Sequence, residues 1–216
     1  MSWESGETVA EETANSITHG IGALLGIAAL SLLVTFAVLR SAGARTVVAC
    51  CVYGASLILL YTSSTLYHAF PWPRVKRVFQ IIDHAAIYIL IAGTYTPFTL
   101  VCLKGRWGWS LFGVMWGFAA LGIALQPFLI NRMPLFSTII YIAMGWMIVI
   151  AIKPVLISVP RIGLVFLFAG GAAYTLGTIF YGMKRMSFHH TTWHLFVLAG
   201  SILHFFAVWY SVIPSA

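Results

Sequence analysis

The chain has 216 residues, 61% of them hydrophobic and only 8% charged, a composition that excludes an ordinary soluble domain. Its formal charge of +7 comes from twelve Lys and Arg residues scattered between apolar segments, with no basic patch of the kind that binds nucleic acid. Four of the five acids (Glu4, Glu7, Glu11 and Glu12) fall in the first dozen residues, which leaves Asp83 as the only later carboxylate side chain.

The opening stretch, "MSWESGETVAEETANS", is acidic and lacks the basic flank of a secretory signal, so the first apolar segment is expected to stay in the protein. Uncharged runs then recur along the whole chain, each long enough to cross a hydrocarbon core about 30 Å thick. They predict helices at about 16–39, 46–69, 81–103, 107–130, 134–152, 162–182 and 189–212, an all-α membrane protein in which residues 1–216 form a single seven-helix transmembrane domain. The runs are continuous rather than alternating, which argues against a β-barrel. Short connections such as "RSAGAR", "KGRWG" and "NRMP" make sequence neighbours antiparallel in an up-and-down bundle. Pro71 and Pro73 read as the stop of the second helix, while Pro97 and Pro127 sit near helix ends. Cys50, Cys51 and Cys102 show no CxxC spacing and read as buried free packing residues.

Seven spans put the termini on opposite sides. Arg74, Lys76, Arg77, Arg132, Lys184 and Arg185 border the N-terminal side; Arg40, Arg45, Lys104, Arg106, Lys153 and Arg161 border the other. The count is six against six, so the positive-inside rule selects no orientation.

Ionisable residues within membrane segments are costly and mark functional sites by default. His68 ends the second predicted helix, Asp83 begins the third, and His190 and His194 begin the seventh, so all four share one depth near one membrane face; His19 joins them from the start of the first. His190 and His194 are i and i+4, about 40° apart in rotation and about 6 Å apart in rise, a spacing that lets two imidazoles hold one metal. With His68 they form a set of three neutral imidazoles, which suits Zn²⁺ and leaves a fourth tetrahedral position open. Asp83 is then either the fourth ligand of a structural site or the base that takes a proton from water at that position. Ser64 lies one turn before His68 on the same face, where it can hydrogen-bond a ligand, the water or a substrate oxygen.

The remaining histidines have plainer readings. His204 lies about 15 Å along the helix from His194 and suits a helix-to-helix hydrogen bond. His189 points about 100° away from His190 and reads as solvated surface. His84 follows Asp83 on another face and divides evenly between a structural and a site role. The alternative to a metal for the main group is a polar packing network.

At these residues the chain resembles a known family. "EETANSITHG" is similar to an E-x-x-N-x-x-T-H opening motif, carried by Glu12, Asn15, Thr18 and His19; "SSTLYH", "IDHAAIYILIAGTYTPF" and "HTTWHLF" resemble the motifs of the second, third and seventh helices. Together they resemble the hemolysin III family, the bacterial branch of the progestin and adipoQ receptor (PAQR) proteins. The resemblance implies a cytoplasmic N-terminus in the bacterial inner (plasma) membrane and a zinc ion near the cytoplasmic face. It implies His68, His190 and His194 as metal ligands, with Asp83 and Ser64 around the reacting water. It also implies kinship with alkaline ceramidases, which hydrolyse lipid amides.

Three functions follow as expectations. The first is a zinc-dependent hydrolase of membrane lipid amides or esters, acting in membrane lipid homeostasis. The second is a non-enzymatic sensor of membrane state with a structural zinc, and the third a hemolytic pore-former. Against the third, these helices lack the polar stripe of a wide channel. The expected partners are membrane lipids; no protein partner is named by the sequence.

Overall fold

The computed structural model describes residues 7–103, 105–130 and 132–214, so the expectations attached to Glu4 and Lys104 lie outside the described residues. Seven helices long and apolar enough to cross a membrane run over Val9–Leu39, Ala44–Ala69, Pro73–Cys102, Arg106–Leu129, Leu135–Ser158, Arg161–Gly182 and His189–Val212, called here the first to seventh spans. No strand occurs among the described residues. Consecutive spans pack on one another, and the first also meets the seventh. The large side chains left outside, such as Leu24, Leu39, Ile150 and Ile157, are the apolar surface a bilayer covers.

Two helix starts differ from the sequence reading, and both matter for the site. The first span begins at Val9 rather than near 16, because Thr8 and Glu11 form a capping box. The Thr8 hydroxyl accepts the Glu11 N–H at 3.2 Å, and the Glu11 carboxylate accepts the Thr8 N–H at 2.8 Å. The chain from Val9 onward is therefore helical, and Glu12, Asn15 and His19 follow one another along a buried stripe. The third span begins at Pro73 rather than near 81: the proline opens it from the first turn, where its missing N–H costs nothing. Lys76 thus sits on a helix and is buried, not in a loop.

The fifth span is not a uniform helix. An α-helical stretch, Pro134–Gly145, passes through a 3₁₀ stretch, Trp146–Ala151, into Ile152–Ser158. Tyr95 of the third span stitches the change of pitch: its hydroxyl lies 3.0 and 2.8 Å from the carbonyls of Met144 and Gly145 and accepts the N–H of Ile148 at 2.8 Å. In lipid, backbone groups released from an α-helix need such a partner. Of the cysteines, Cys50 is buried and Cys102 half-buried, as packing residues should be, but Cys51 is exposed on the lipid-facing side of the second span. Successive residues of a helix point about 100° apart, and here that turn carries Cys51 out to the lipid side while Cys50 stays inside.

Small residues let the first spans approach. A β-carbon at Gly22 would overlap the ring of Tyr61, which is buried and hydrogen-bonded to Ser201 Oγ at 2.7 Å. The ring has nowhere to go, so Gly22→Ala is expected to destabilise the fold by about 1–3 kcal/mol, the usual magnitude of overpacking. A thermal unfolding curve in detergent reads this as a lowered midpoint.

Candidate metal centre

The second and seventh spans bring His68, His190 and His194 together, with one ligand atom of each within 4.8 Å of the others. The i, i+4 pair shares a helix face with ring centroids 4.6 Å apart, and the His68 ring lies 5.0 Å from each. His194 is fully buried, His68 is 5% exposed, and the His190 side chain retains 12% exposure.

What orients the rings comes from the N-terminal helix and the segment just before it. Glu12 Oε2 accepts from His68 Nδ1 at 2.7 Å, Glu7 Oε1 lies 3.3 Å from His190 Nδ1, and the Asn15 carbonyl accepts from His194 Nδ1 at 3.3 Å. The Lys76-paired Glu12 carboxylate and the Asn15 carbonyl only accept, so Nδ1 of His68 and of His194 carries the hydrogen and their Nε2 presents a lone pair; Glu7 faces His190 Nδ1 from the same side. All three Nε2 atoms are buried without a partner among the described residues. This is the arrangement of metal-ligating histidines, whose other ring nitrogen is held by a carboxylate or backbone carbonyl. Unpartnered imidazole nitrogens in so close a cluster fit a divalent cation better than they fit an empty polar network, because unpaired buried acceptors cost free energy. The buried cluster can hold a metal ion.

The orienting groups are themselves tied down. Asn15 Nδ2 donates to Glu7 Oε2 at 2.9 Å, and Asn15 Oδ1 accepts from the Thr191 hydroxyl at 2.5 Å. Glu11 Oε1 accepts the N–H of Phe188 at 2.8 Å, which holds that residue in the left-handed conformation just before the seventh span. Lys76 Nζ lies 2.9 Å from Glu12 Oε2 and donates to the Tyr67 carbonyl at 3.1 Å. Glu7, Glu12 and His68 also lie close enough to share a cation, but the Lys76 ammonium already neutralises Glu12, which makes the three histidines the better suited of the two groups. Burial, reinforced by the neighbouring charges of Glu12 and Glu11, pushes the Glu7 carboxyl up to about 7. Removing an orienting partner typically weakens metal affinity 10–100-fold. Glu12→Ala should do so by roughly that factor, as read by competition with a calibrated chelator.

The other sequence-selected residues sort around this centre. Asp83 is buried but does not belong to the group of three; its carboxylate faces Ser64, without a hydrogen bond of good geometry, and lies 3.7 Å from His84 Nδ1. Ser64 is fully buried one turn from His68, and its Oγ has no hydrogen-bond partner among the described residues. His19 stacks on His194 with centroids 3.5 Å apart, and among the described residues neither of its nitrogens has a hydrogen-bond partner. His84 Nδ1 donates to the Gln80 carbonyl at 2.9 Å. His204 makes the expected helix-to-helix bond, Nε2 to the Leu167 carbonyl at 3.1 Å. His189 lies outside the group and is half-buried rather than fully solvated. The sequence reading passed over Glu7 altogether, and it weighed Glu12 and Asn15 only as parts of a motif. The signal for the last two was present: positions 12, 15 and 19 recur at helical spacing, and a first helix begun near 16 hides it.

An elongated, largely apolar cavity of about 160 Å³ opens beside the centre. It is lined from His19, Asp83 and His84 at one end to Phe98, Ile148 and His204 at the other. Along the third span, Asp83 to Phe98 is about 22 Å of helix, more than the roughly 15 Å of one leaflet's hydrocarbon.

Comparison with known proteins gives the family. The pattern of the haemolysin-III related family matches residues 7–205, so the chain belongs to that family. It is 48% identical to Hemolysin-3 of Bacillus cereus over 208 residues, 96% of this chain and 94% of that protein. It is likewise 48% identical to the Hemolysin-3 homolog of Bacillus subtilis (strain 168) over 201 residues, 93% of this chain and 94% of that one. A more distant relation, 28% over 167 residues, 73% of this chain and 68% of the other, links it to the monocyte to macrophage differentiation factor of Homo sapiens. The chain is an integral membrane protein of the hemolysin III type.

Proposed function

We propose that this protein is a zinc-dependent hydrolase of membrane lipid amides or esters, acting in membrane lipid homeostasis. The observation that carries the proposal is the set of three orphaned Nε2 atoms, oriented from the first span and the segment before it, next to an apolar cavity whose wall includes Asp83 and His19, the ring stacked on His194. His68, His190 and His194 would hold the ion, which when bound polarises a carbonyl and makes water acidic near neutral pH. The cavity takes the acyl chain and brings the polar linkage to the buried end where Asp83 lies. Asp83 accepts the proton of the attacking water as its oxygen bonds to the acyl carbon, and returns it to the nitrogen or oxygen that departs. Ser64 hydrogen-bonds Asp83 or the substrate oxygen. In this reading the N-terminus and the centre face the cytoplasm of a bacterial inner membrane, as the family resemblance implies. The lytic activity in the relatives' names is compatible with it, because fatty acids and single-chain lipids freed from a bilayer disrupt it.

The test is direct. Purified protein with its metal analysed, incubated with a panel of N-acyl and O-acyl lipids, should contain zinc and release fatty acid from at least one. Release from none ends the hydrolase reading.

One observation favours a second reading, a membrane-state sensor with a structural zinc. The three imidazoles sit on the second and seventh spans while their orienting groups sit on or just before the first, so an ion there clasps three spans. A clasp predicts loss of stability when a histidine is removed and indifference to Asp83.

A further inference from the structure

The cavity wall contains an amide that the hydrolytic machinery does not use. Gln126 lies in the last turn of the fourth span, and between Leu111 and Leu129 it is the only residue whose side chain both donates and accepts hydrogen bonds. It is fully buried and lines the cavity. The Tyr141 hydroxyl, on the fifth span, lies 3.4 Å from Oε1, while Nε2 has no partner. That same hydroxyl donates to the carbonyl of His84 at 3.0 Å. The Gln126 amide is therefore held one hydroxyl away from the backbone beside Asp83, on the third span. The single Tyr141 hydroxyl proton is shared between the His84 carbonyl and the more distant Oε1, and among the described residues the Nε2 donor is the end of the amide left unpaired. Ser137, also on the fifth span, brings a second buried hydroxyl to the cavity.

An unpaired amide surrounded by apolar wall and lipid is costly, and evolution has cheaper ways to fill a helix face. A ligand atom that completes its hydrogen bonding recovers that cost, so the group discriminates strongly for polar atoms at that point and leaves the acyl chain to the rest of the cavity. We propose that Gln126 recognises the polar linkage of the bound lipid, hydrogen-bonding its amide or ester oxygen while the chain lies along the third span. The identity of the ligand rests on the lipid-hydrolase reading; the recognition itself is a property of binding and is tested without turnover.

The experiment measures competition against radiolabelled hexadecanamide in one detergent, with hexadecanamide, methyl hexadecanoate and hexadecane as competitors. Wild-type protein should bind the amide and the ester about tenfold more tightly than the hydrocarbon, the effect of one hydrogen bond. Gln126→Met, similar in size, should bring all three within about twofold of one another while metal content holds at the wild-type value. Equal affinities in wild type overturn the proposal without any variant, as do unchanged amide and ester affinities in Gln126→Met or an equal loss for all three competitors. A protein that releases no fatty acid yet shows this selectivity refutes hydrolysis and leaves the subsite standing; an active hydrolase whose selectivity ignores Gln126 does the reverse.

Discussion

Replacing His194 by alanine should leave the protein without its metal. His194 is fully buried, shares the metal face with His190 one turn earlier, and stacks against His19. Loss of a direct ligand should exceed the roughly 10–100-fold penalty that loss of an orienting partner brings. Metal analysis after purification should therefore fall from about one ion per chain to near zero, the outcome expected for any one of three protein ligands. Linkage supplies an independent reading. Zinc at about a hundred times its dissociation constant should stabilise the wild type by about 2.7 kcal/mol, seen as a raised unfolding midpoint, and His194→Ala should show no zinc-dependent shift. His189→Ala, on the neighbouring position of the same helix but outside the group, should keep both the metal and the shift. A His194→Ala protein that still carries stoichiometric metal would remove the three-histidine centre from consideration.

Asp83→Asn separates catalysis from clasping. The substitution keeps size and burial while removing the ability to accept a proton, so metal content and unfolding midpoint should be nearly unchanged. Fatty-acid release should fall by about 10²–10⁴-fold, the usual worth of a positioned acid–base group. The absence of Asp83 from the group of mutually close ligand atoms supports this assignment over direct ligation. If the variant retains most of its hydrolytic rate, Asp83 is not the base; if it instead loses the metal together with stability, Asp83 is a ligand of a structural site. Because the readouts are metal, stability and turnover, the two functional readings give different patterns rather than different degrees of one effect.

Particular residues show why the fold was so legible. Each span is a long uncharged run, and in hydrocarbon a backbone has almost no choice but to satisfy itself as a helix. Short connections then leave few arrangements. The pairing of His190 with His194 followed from 3.6 residues per turn, and the approach of His68 followed from counting which helix ends share a face. What escaped was set by capping and by contacts between helices. Thr8 and Glu11 start the first helix about two turns early, and that extension carries Glu12 and Asn15 onto the histidine rings. Pro73 was read as a terminator when it opens the next helix, which concealed that Lys76 is a buried partner of Glu12.

By itself, then, the sequence determined the membrane class, the seven spans, the family, and the three histidines that converge, because hydrophobic length and helical periodicity are local properties of a chain in lipid. The tertiary structure alone decided which nitrogen of each histidine is free, since that depends on groups contributed by residues 56, 179 and 183 positions away in the chain for His68, His194 and His190. It likewise decided that Asp83 and Gln126 face one cavity and that Glu7, Glu12 and Asn15 brace the centre from the first span's end. No local pattern encodes those relations: a side chain's partner across helices is set by how neighbouring spans rotate and slide to fill space, and two neighbours along a helix already point about 100° apart.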